Sequence, residues 1–375
     1  MKRKLVYCPR IAGHRLEYIH HIYQGVRNSR DYFIFVVPSE FENQKDKLEW
    51  DLYDNVTFVT LDNKFKTSSN ISKIKQSICN SKALAYYAKQ YKVDDVVVLD
   101  LMEYVPFLPY YVPSKIKVKG IIYKIITYEW KYEGFLRRKL DYLKYWVMAK
   151  FKVYDSVYML NDINAPIELN KKFKTSHFKF LPDPVVPINS VEDIDIRTKY
   201  KISCHKKIIL HPGGMLPYKG TLEILKALAV IPKEYHDEYA FIFAGRVTKS
   251  IKDEFYKLLK NIDEKLQVII EDDFFTFERL GAFFKSADWI LIPYKTRSQS
   301  SGIVGHAAFF KKPVIAVKGG LIGSIVEAYN LGVLIDDSTY TSISDVLVKL
   351  PNWNYVANKY VESHKIEDFT RIILC

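Results

Sequence analysis

The stretch from Ala287 to Leu334 restricts the fold more than any other part of the chain. An apolar β-type run, Trp289–Ile292, stops at Pro293, and a polar loop follows. Ser300-Ser301-Gly302 then opens a short helical pattern that runs through Phe310. A second apolar run, Pro313–Val317, ends in Gly319-Gly320. This is a strand–loop–helix–strand unit with its Gly/Ser loop at the carboxyl end of a strand. There the N–H groups of a helix N-terminus can hold an anionic phosphate. The unit therefore predicts a parallel α/β sheet and a ligand of diphosphate type.

The rest of the chain repeats that rhythm twice. In the first half, strand patterns fall at Leu5–Cys8, Tyr32–Val37, Val56–Leu61, Val96–Leu99, Val118–Ile122 and Ser156–Leu160. Helical patterns lie between them at Leu16–Arg27, Ser72–Gln90 and Glu133–Lys150. After Leu181-Pro-Asp-Pro-Val185, the polar stretch Asn189–Lys201 shows no apolar period and reads as a linker. A fresh alternation follows, with strands at Ile208–His211, Tyr239–Ala244 and Gln267–Ile270 and helices at Thr221–Val230, Ile251–Ile262 and Phe277–Ser286. Strands alternating with helices call for a parallel sheet covered on both faces. The expected architecture is two Rossmann-like βαβ domains facing a central cleft, residues 1–186 and 187–354, with a closing helix over 355–375.

Composition narrows the class. The 375 residues are 48% apolar and 26% charged, as in a globular chain large enough for two domains. No apolar run reaches 18 residues, so no transmembrane helix is expected. Leu5–Tyr7 is too short for a signal-peptide core, which favours a cytoplasmic location. Cys8, Cys79, Cys204 and Cys375 are scattered without a Cys-x-x-Cys pair, so neither a disulfide framework nor a zinc site is expected. Residues 1–187 hold 31 Lys and Arg against 20 Asp and Glu (+11), and residues 188–375 hold 25 against 23 (+2). The basic half suits an anionic partner such as a lipid surface, a phosphorylated substrate or nucleic acid, or simply a soluble lysine-rich surface.

Three loops carry candidate chemistry. In His211-Pro-Gly-Gly-Met-Leu-Pro-Tyr-Lys-Gly220, Gly213 and Gly214 allow close backbone approach, and Lys219 brings a cation to the start of a helix. In Phe243-Ala-Gly-Arg-Val247, Gly245 closes a strand and Arg246 can fork onto phosphate oxygens. Ser300, Ser301 and Gly302 form the third. Each alone also reads as a tight turn; the three in order, spaced like successive strand ends, are more specific.

This order resembles the donor-binding domain of the GT-B glycosyltransferases, most closely the retaining group 1 enzymes of glycosyltransferase family 4. The matching elements are Gly213–Gly220, Phe241–Gly245, Ala287–Pro293, Ser300–Ala308 and Pro313–Gly320, within coverage from about Ile208 to Leu334. The first half contributes only its βαβ rhythm and Gly13 after the first strand. The resemblance implies that the final helix crosses back to the first domain. It also implies that Gly13, Gly213, Gly214, Lys219, Arg246, Ser300, Ser301, Gly302 and His306 contact a nucleotide-diphosphate sugar. The sequence departs from the family at three places. Gly214 stands where an Arg is usual, with Arg246 a possible source of the lost charge. Ser298 and His306 stand where two glutamates are usual, and His306 could meet the donor ribose through a hydroxyl contact. No histidine follows the Ile121–Ile126 segment, where relatives place one in the catalytic cleft; Glu129 is the candidate there.

Other features divide between two readings. Asp193-Ile-Asp195 matches a metal-binding triplet of another glycosyltransferase fold but sits in the linker, so no metal is expected. Leu136, Leu140, Leu143 and Val147 fall at helical spacing among Arg137, Arg138, Lys139, Lys144, Lys150 and Lys152, with Trp146 nearby. Such a stripe is more often core-facing, and otherwise marks a membrane-surface helix drawn to anionic lipid. The implied activity is metal-independent, retaining glycosyl transfer with Lys219, Arg246 and Glu129 as catalytic candidates. No cofactor is expected beyond the donor, and no nucleic acid. The implied acceptor is a glycan or lipid-linked glycan of bacterial surface polysaccharide assembly, reached at the inner face of the membrane. Alternatives are a nucleotide-sugar hydrolase or epimerase, or a non-catalytic binder of anionic polymers.

Overall fold

A computed structural model of the chain describes residues 1–11, 13–45, 50, 53–65, 71–188, 191–353 and 359–375. The chain divides into one unit of Met1–Asp183 with Ile366–Cys375 and a second of Pro184–Lys365. The first holds seven strands: β1 (Arg3–Tyr7), β2 (Tyr32–Val37), β3 (Val56–Thr60), β4 (Asp95–Val98), β5 (Lys117–Ile122), β6 (Tyr154–Leu160) and β7 (Phe178–Leu181). They pair in the order β3-β2-β1-β4-β5-β6-β7, every pair parallel. The second holds β8 (Lys207–Pro212), β9 (Tyr239–Ala244), β10 (Gln267–Glu271), β11 (Trp289–Ile292), β12 (Val314–Val317) and β13 (Gly332–Ile335). Their order is β10-β9-β8-β11-β12-β13, again parallel throughout. Two Rossmann-like sheets make this a GT-B fold.

Because helices cover both faces, central strands read as unbroken apolar runs rather than alternations. Phe33 to Val37 in β2 and Tyr239 to Ala244 in β9 are buried along their whole length. Each sheet reverses its direction of growth once, between β1 and β4 and between β8 and β11. Such reversals open a crevice outside the carboxyl ends of the two strands, where ligands of open α/β sheets bind.

The closing helix differs from the expected single element. It is two pieces, Lys359–Ser363 and Ile366–Leu374, and residues 354–358 lie outside the described residues. The break follows His364, whose carbonyl accepts the Val185 amide at 2.8 Å, so the first piece stays with the second unit. The second piece packs on the Arg15–Gly25 helix of the first unit and buries Phe369 and Ile373 among Val6, Tyr18, Ile19 and Ile22.

The Phe135–Lys150 helix corrects the core-facing reading of its leucine stripe. Leu136, Leu140 and Leu143 are 77%, 62% and 44% exposed, and of that stripe only Val147 is buried. The inward face is instead Asp141, Tyr145, Met148 and Ala149, with Tyr145 against Trp130 and Phe178. No described helix is long and apolar enough to cross a membrane.

Three of the buried histidines have their pKa lowered by that burial. His21 packs edge-on to Phe369, His211 bridges the Leu291 carbonyl (2.8 Å) and Thr221 Oγ1 (2.9 Å), and His364 stacks on Tyr360. Burial lowers each pKa from about 6.5 to about 4. Between those values the unfolded chain binds protons that the native state refuses, so stability is full above about pH 6.5 and is lost as pH falls towards 4. Each unit of separation is worth about 1.4 kcal/mol per group. Urea midpoints should therefore drop steadily between pH 7 and 5; a flat profile there would mean that these imidazoles titrate normally in the native protein. Phe369→Ala should cost about 3–5 kcal/mol through the cavity it leaves. A urea melt that matches wild type would show that the terminal helix does not hold the first unit together.

Candidate functional site

The reversal in the second sheet places the loop after β8 beside the loop after β11. Pairing of β8 with β9 continues beyond both strands: the Gly213 amide donates to the Ala244 carbonyl, and the Met215 amide to the Arg246 carbonyl, each at 2.8 Å. This close passage is possible because Gly245 has no side chain. Its φ is +153°, and a Cβ there would lie 2.2 Å from the Gly213 carbonyl oxygen. The backbone pairing thus fixes Gly213-Gly214 next to the root of Arg246. The Arg246 side chain is exposed and forms no ion pair among the described residues.

Lys219 turns back to the same spot. Its Nζ lies 3.2 Å from where a Cβ on Gly213 would be, and 5.3 Å from the Tyr294 ring centroid. Among the described residues its ammonium has neither an ion pair nor a hydrogen bond, and burial lowers its pKa. A partly desolvated ammonium without a counter-ion is a site prepared for an anion.

The third loop joins this cluster. Ile303 Cδ1 is 3.7 Å from the Gly213 position, and the Tyr294 hydroxyl lies against Ser301. The Gly302–Phe309 helix therefore starts beside the Gly213 turn. Ser301 Oγ accepts the Ile303 amide at 3.3 Å, so its hydroxyl caps the helix. Gly213, Gly214, Lys219, Arg246, Ser301 and Gly302 thus converge at the carboxyl ends of β8 and β11, with Ser300 immediately before the helix start. His306 sits one turn further along, its ring 5.5 Å from that of Phe277 and 5.9 Å from that of Phe284. Ser298 is fully buried, and its hydroxyl has no hydrogen-bond partner among the described residues.

Gly13 and Glu129 belong to the first unit and not to this cluster. Gly13 is exposed, with φ +67°, in the turn before the Arg15–Gly25 helix. Glu129 ends a single turn (Ile126–Glu129) after β5, half-buried, and its carbonyl accepts the Tyr132 and Glu133 amides. Asp195 caps the Ile196–Lys199 helix by accepting the Arg197 and Thr198 amides. Among the described residues no group of three or more His, Cys, Asp or Glu could hold a metal.

Arg297 is a site-forming residue that the sequence patterns do not single out. It lines a cavity at the carboxyl ends of β11 and β12 with Tyr294, Lys318, Gly320 and Asp337. Its guanidinium donates to the Lys318 and Gly319 carbonyls at 3.3 and 3.4 Å, and its own carbonyl accepts the Leu321 amide at 2.7 Å. A Cβ on Gly320 would sit 2.9 Å from Arg297 Cα. Gly319-Gly320 therefore make room for this segment. The only sequence signal is the coincidence of an Arg in the loop with a later Gly-Gly.

Residues 192–362 match the family of glycosyl transferases group 1. No curated protein matches the chain by sequence. Among solved structures the chain is similar to WaaG, a glycosyltransferase involved in lipopolysaccharide biosynthesis, with a TM-score of 0.63 at 14% identity over 99% of this chain and 95% of that one. HepE of Anabaena, solved in complex with UDP, gives 0.68 at 13% identity over 100% and 98%. Sucrose-phosphate synthase from Thermosynechococcus elongatus gives 0.67 at 10% identity over 100% and 94%. The match to the family falls on the unit in which the phosphate-type loops converge, so the second unit carries a glycosyl transferases group 1 domain and the chain as a whole has the GT-B fold.

Proposed function

We propose that this protein moves a sugar from a nucleoside diphosphate sugar to an acceptor hydroxyl with retention and without a metal ion. The uncompensated Lys219 ammonium beside the Gly213 turn carries the reading. As the bond from the anomeric carbon to the diphosphate oxygen breaks, negative charge collects on the leaving group. Lys219, Arg246 and the start of the Gly302–Phe309 helix are placed to stabilise it. The acceptor oxygen bonds to the same face of the anomeric carbon, and its proton passes to the departing diphosphate. His306 is proposed to meet the nucleoside side of the donor. Glu129, in the other unit, is proposed to serve the acceptor.

UDP is the first donor base to test, since HepE was solved with it. UDP should raise the melting temperature of the wild type, because a ligand bound only to the native state stabilises it. Lys219→Ala should weaken UDP binding by about 1–3 kcal/mol, the range for charge-assisted hydrogen bonds. Arg246→Ala should weaken it in the same direction, and transfer should continue in EDTA. Unchanged affinity in both variants would move the diphosphate elsewhere, and an obligatory Mg²⁺ or Mn²⁺ would remove the charge-neutralising role of these side chains.

The acceptor is proposed to be a lipid-linked glycan of surface-polysaccharide type, reached at the inner face of a membrane. The support is the Phe135–Lys150 helix, which presents Leu136, Leu140, Leu143 and Trp146 to solvent with Arg137, Arg138 and Lys139 beside them. An apolar stripe flanked by cations suits an anionic bilayer surface. The wild type should co-sediment with phosphatidylglycerol vesicles at low salt and be released at high salt, where exposed charges are screened. Arg137/Arg138/Lys139→Ala should abolish that binding. If the wild type ignores anionic vesicles at low salt, the acceptor is soluble.

A further inference from the structure

The loop that carries Gly213, Gly214 and Lys219 lies between His211 and Thr221, and these two side chains meet across its base. His211, near the end of β8, is 2% exposed, and Thr221, the first residue of the Thr221–Leu228 helix, is 0% exposed. His211 Nε2 lies 2.9 Å from Thr221 Oγ1, and Nδ1 lies 2.8 Å from the Leu291 carbonyl of β11. A carbonyl oxygen only accepts, so Nδ1 carries the proton of the ring. Burial lowers the pKa of this imidazole to about 4, which keeps the ring neutral and leaves Nε2 its lone pair. Nε2 therefore accepts the Thr221 hydroxyl proton. Phe243 of β9 stands edge-on to the ring at 5.6 Å.

We infer that His211 and Thr221 are positioning residues, which staple the two ends of this loop so that the Lys219 ammonium is held at the Gly213 turn. The inference rests on the glycosyl-transfer reading and adds to it two side chains too deeply buried to touch the donor. Lys219 Nζ reaches back to 3.2 Å from a Cβ placed on Gly213. Burial lowers the pKa of that ammonium, so desolvation acts to drive it out towards water. Three contacts hold the end of the loop against this. Gly220, with φ +75°, passes so close to Pro293 that a Cβ would lie 2.4 Å from the Pro293 carbonyl oxygen. The Tyr218 carbonyl accepts the Lys295 amide at 2.8 Å. The third contact is the bond from Thr221 to His211. It alone of the three ties the end of the loop to its own beginning, two residues before Gly213. A tie across the base removes the end-to-end freedom of the loop, and with it the freedom of Lys219 to leave the turn.

The test uses the full chain. UDP affinity is measured by calorimetry, well below the melting temperature, for wild type, Thr221→Val and Thr221→Ser. Valine keeps the shape of threonine and deletes the hydroxyl, whereas serine keeps the hydroxyl. Thr221→Val should weaken UDP binding about fivefold or more, the scale of one lost buried hydrogen bond, and Thr221→Ser should restore it to within about twofold of wild type. A contact that only fills the core would lower the melting temperature of Thr221→Val and leave the UDP affinity of the folded protein unchanged. That outcome overturns the proposal. Nitrogen NMR of the labelled wild type serves if the valine variant fails to fold. His211 should show a protonated Nδ1 and a bare Nε2, and the opposite tautomer overturns the staple. If the wild type does not bind UDP, the donor reading fails and the positioning role falls with it. If the wild type binds UDP and Thr221→Val binds it equally well, the staple alone fails.

Discussion

The second unit depends on one backbone contact, the passage of the Gly213 turn across Gly245. Two amide–carbonyl bonds carry the pairing of β8 and β9 past the strand ends, and the missing side chain at Gly245 admits them. Everything around the phosphate-type site follows from that. The turn is held against the β9 exit, the root of Arg246 is fixed beside it, and the chain leads on to Lys219 and the Thr221–Leu228 helix. His211 locks the other side, because its two ring nitrogens join the Leu291 carbonyl of β11 to Thr221. Burial disfavours the charged form of this imidazole, so protonating it would place a cation in a sealed site. The same geometry that shapes the site thus makes it sensitive to acid.

Most of the fold was legible in the sequence, because buried parallel strands show as apolar runs and two such series imply two sheets. The misses have physical causes. β7 (Phe178–Leu181) is a four-residue edge strand whose Lys179 is exposed and reaches Ser156, so its apolar run is interrupted. β13 (Gly332–Ile335) is short, starts on glycine and pairs with β12 only. The terminal helix breaks at His364 because a carbonyl there serves Val185, a partner 179 positions back in the chain. Periodicity cannot foresee that.

The leucine stripe of the Phe135–Lys150 helix teaches a different limit. Helical spacing shows that Leu136, Leu140 and Leu143 share a face, but it cannot say whether protein covers that face. Here the protein uses the other side, where Asp141 pairs with Lys144 and aromatic rings from Trp130, Phe173 and Phe178 close around Tyr142 and Tyr145. Site residues were legible in proportion to how local their signal is. Gly213, Gly214 and Lys219 lie within one ten-residue loop, His211–Gly220, and stand out. Arg297 and the Arg15–Asp100 and Arg10–Glu103 pairs act across loops 21 to 93 positions apart, so only the folded chain reveals them.

The two sheet reversals set out a division of labour in charge. One presents a partly buried lysine and an arginine that form no ion pair among the described residues. The other presents two arginines already matched by two carboxylates. The first arrangement gains most from a ligand that brings negative charge, because desolvation of the cation is already spent and Coulomb attraction is strong away from bulk water. The second gains little from net charge. A single strand order, built twice, carries both charge arrangements because the residues at each reversal differ while the backbone that positions them does not.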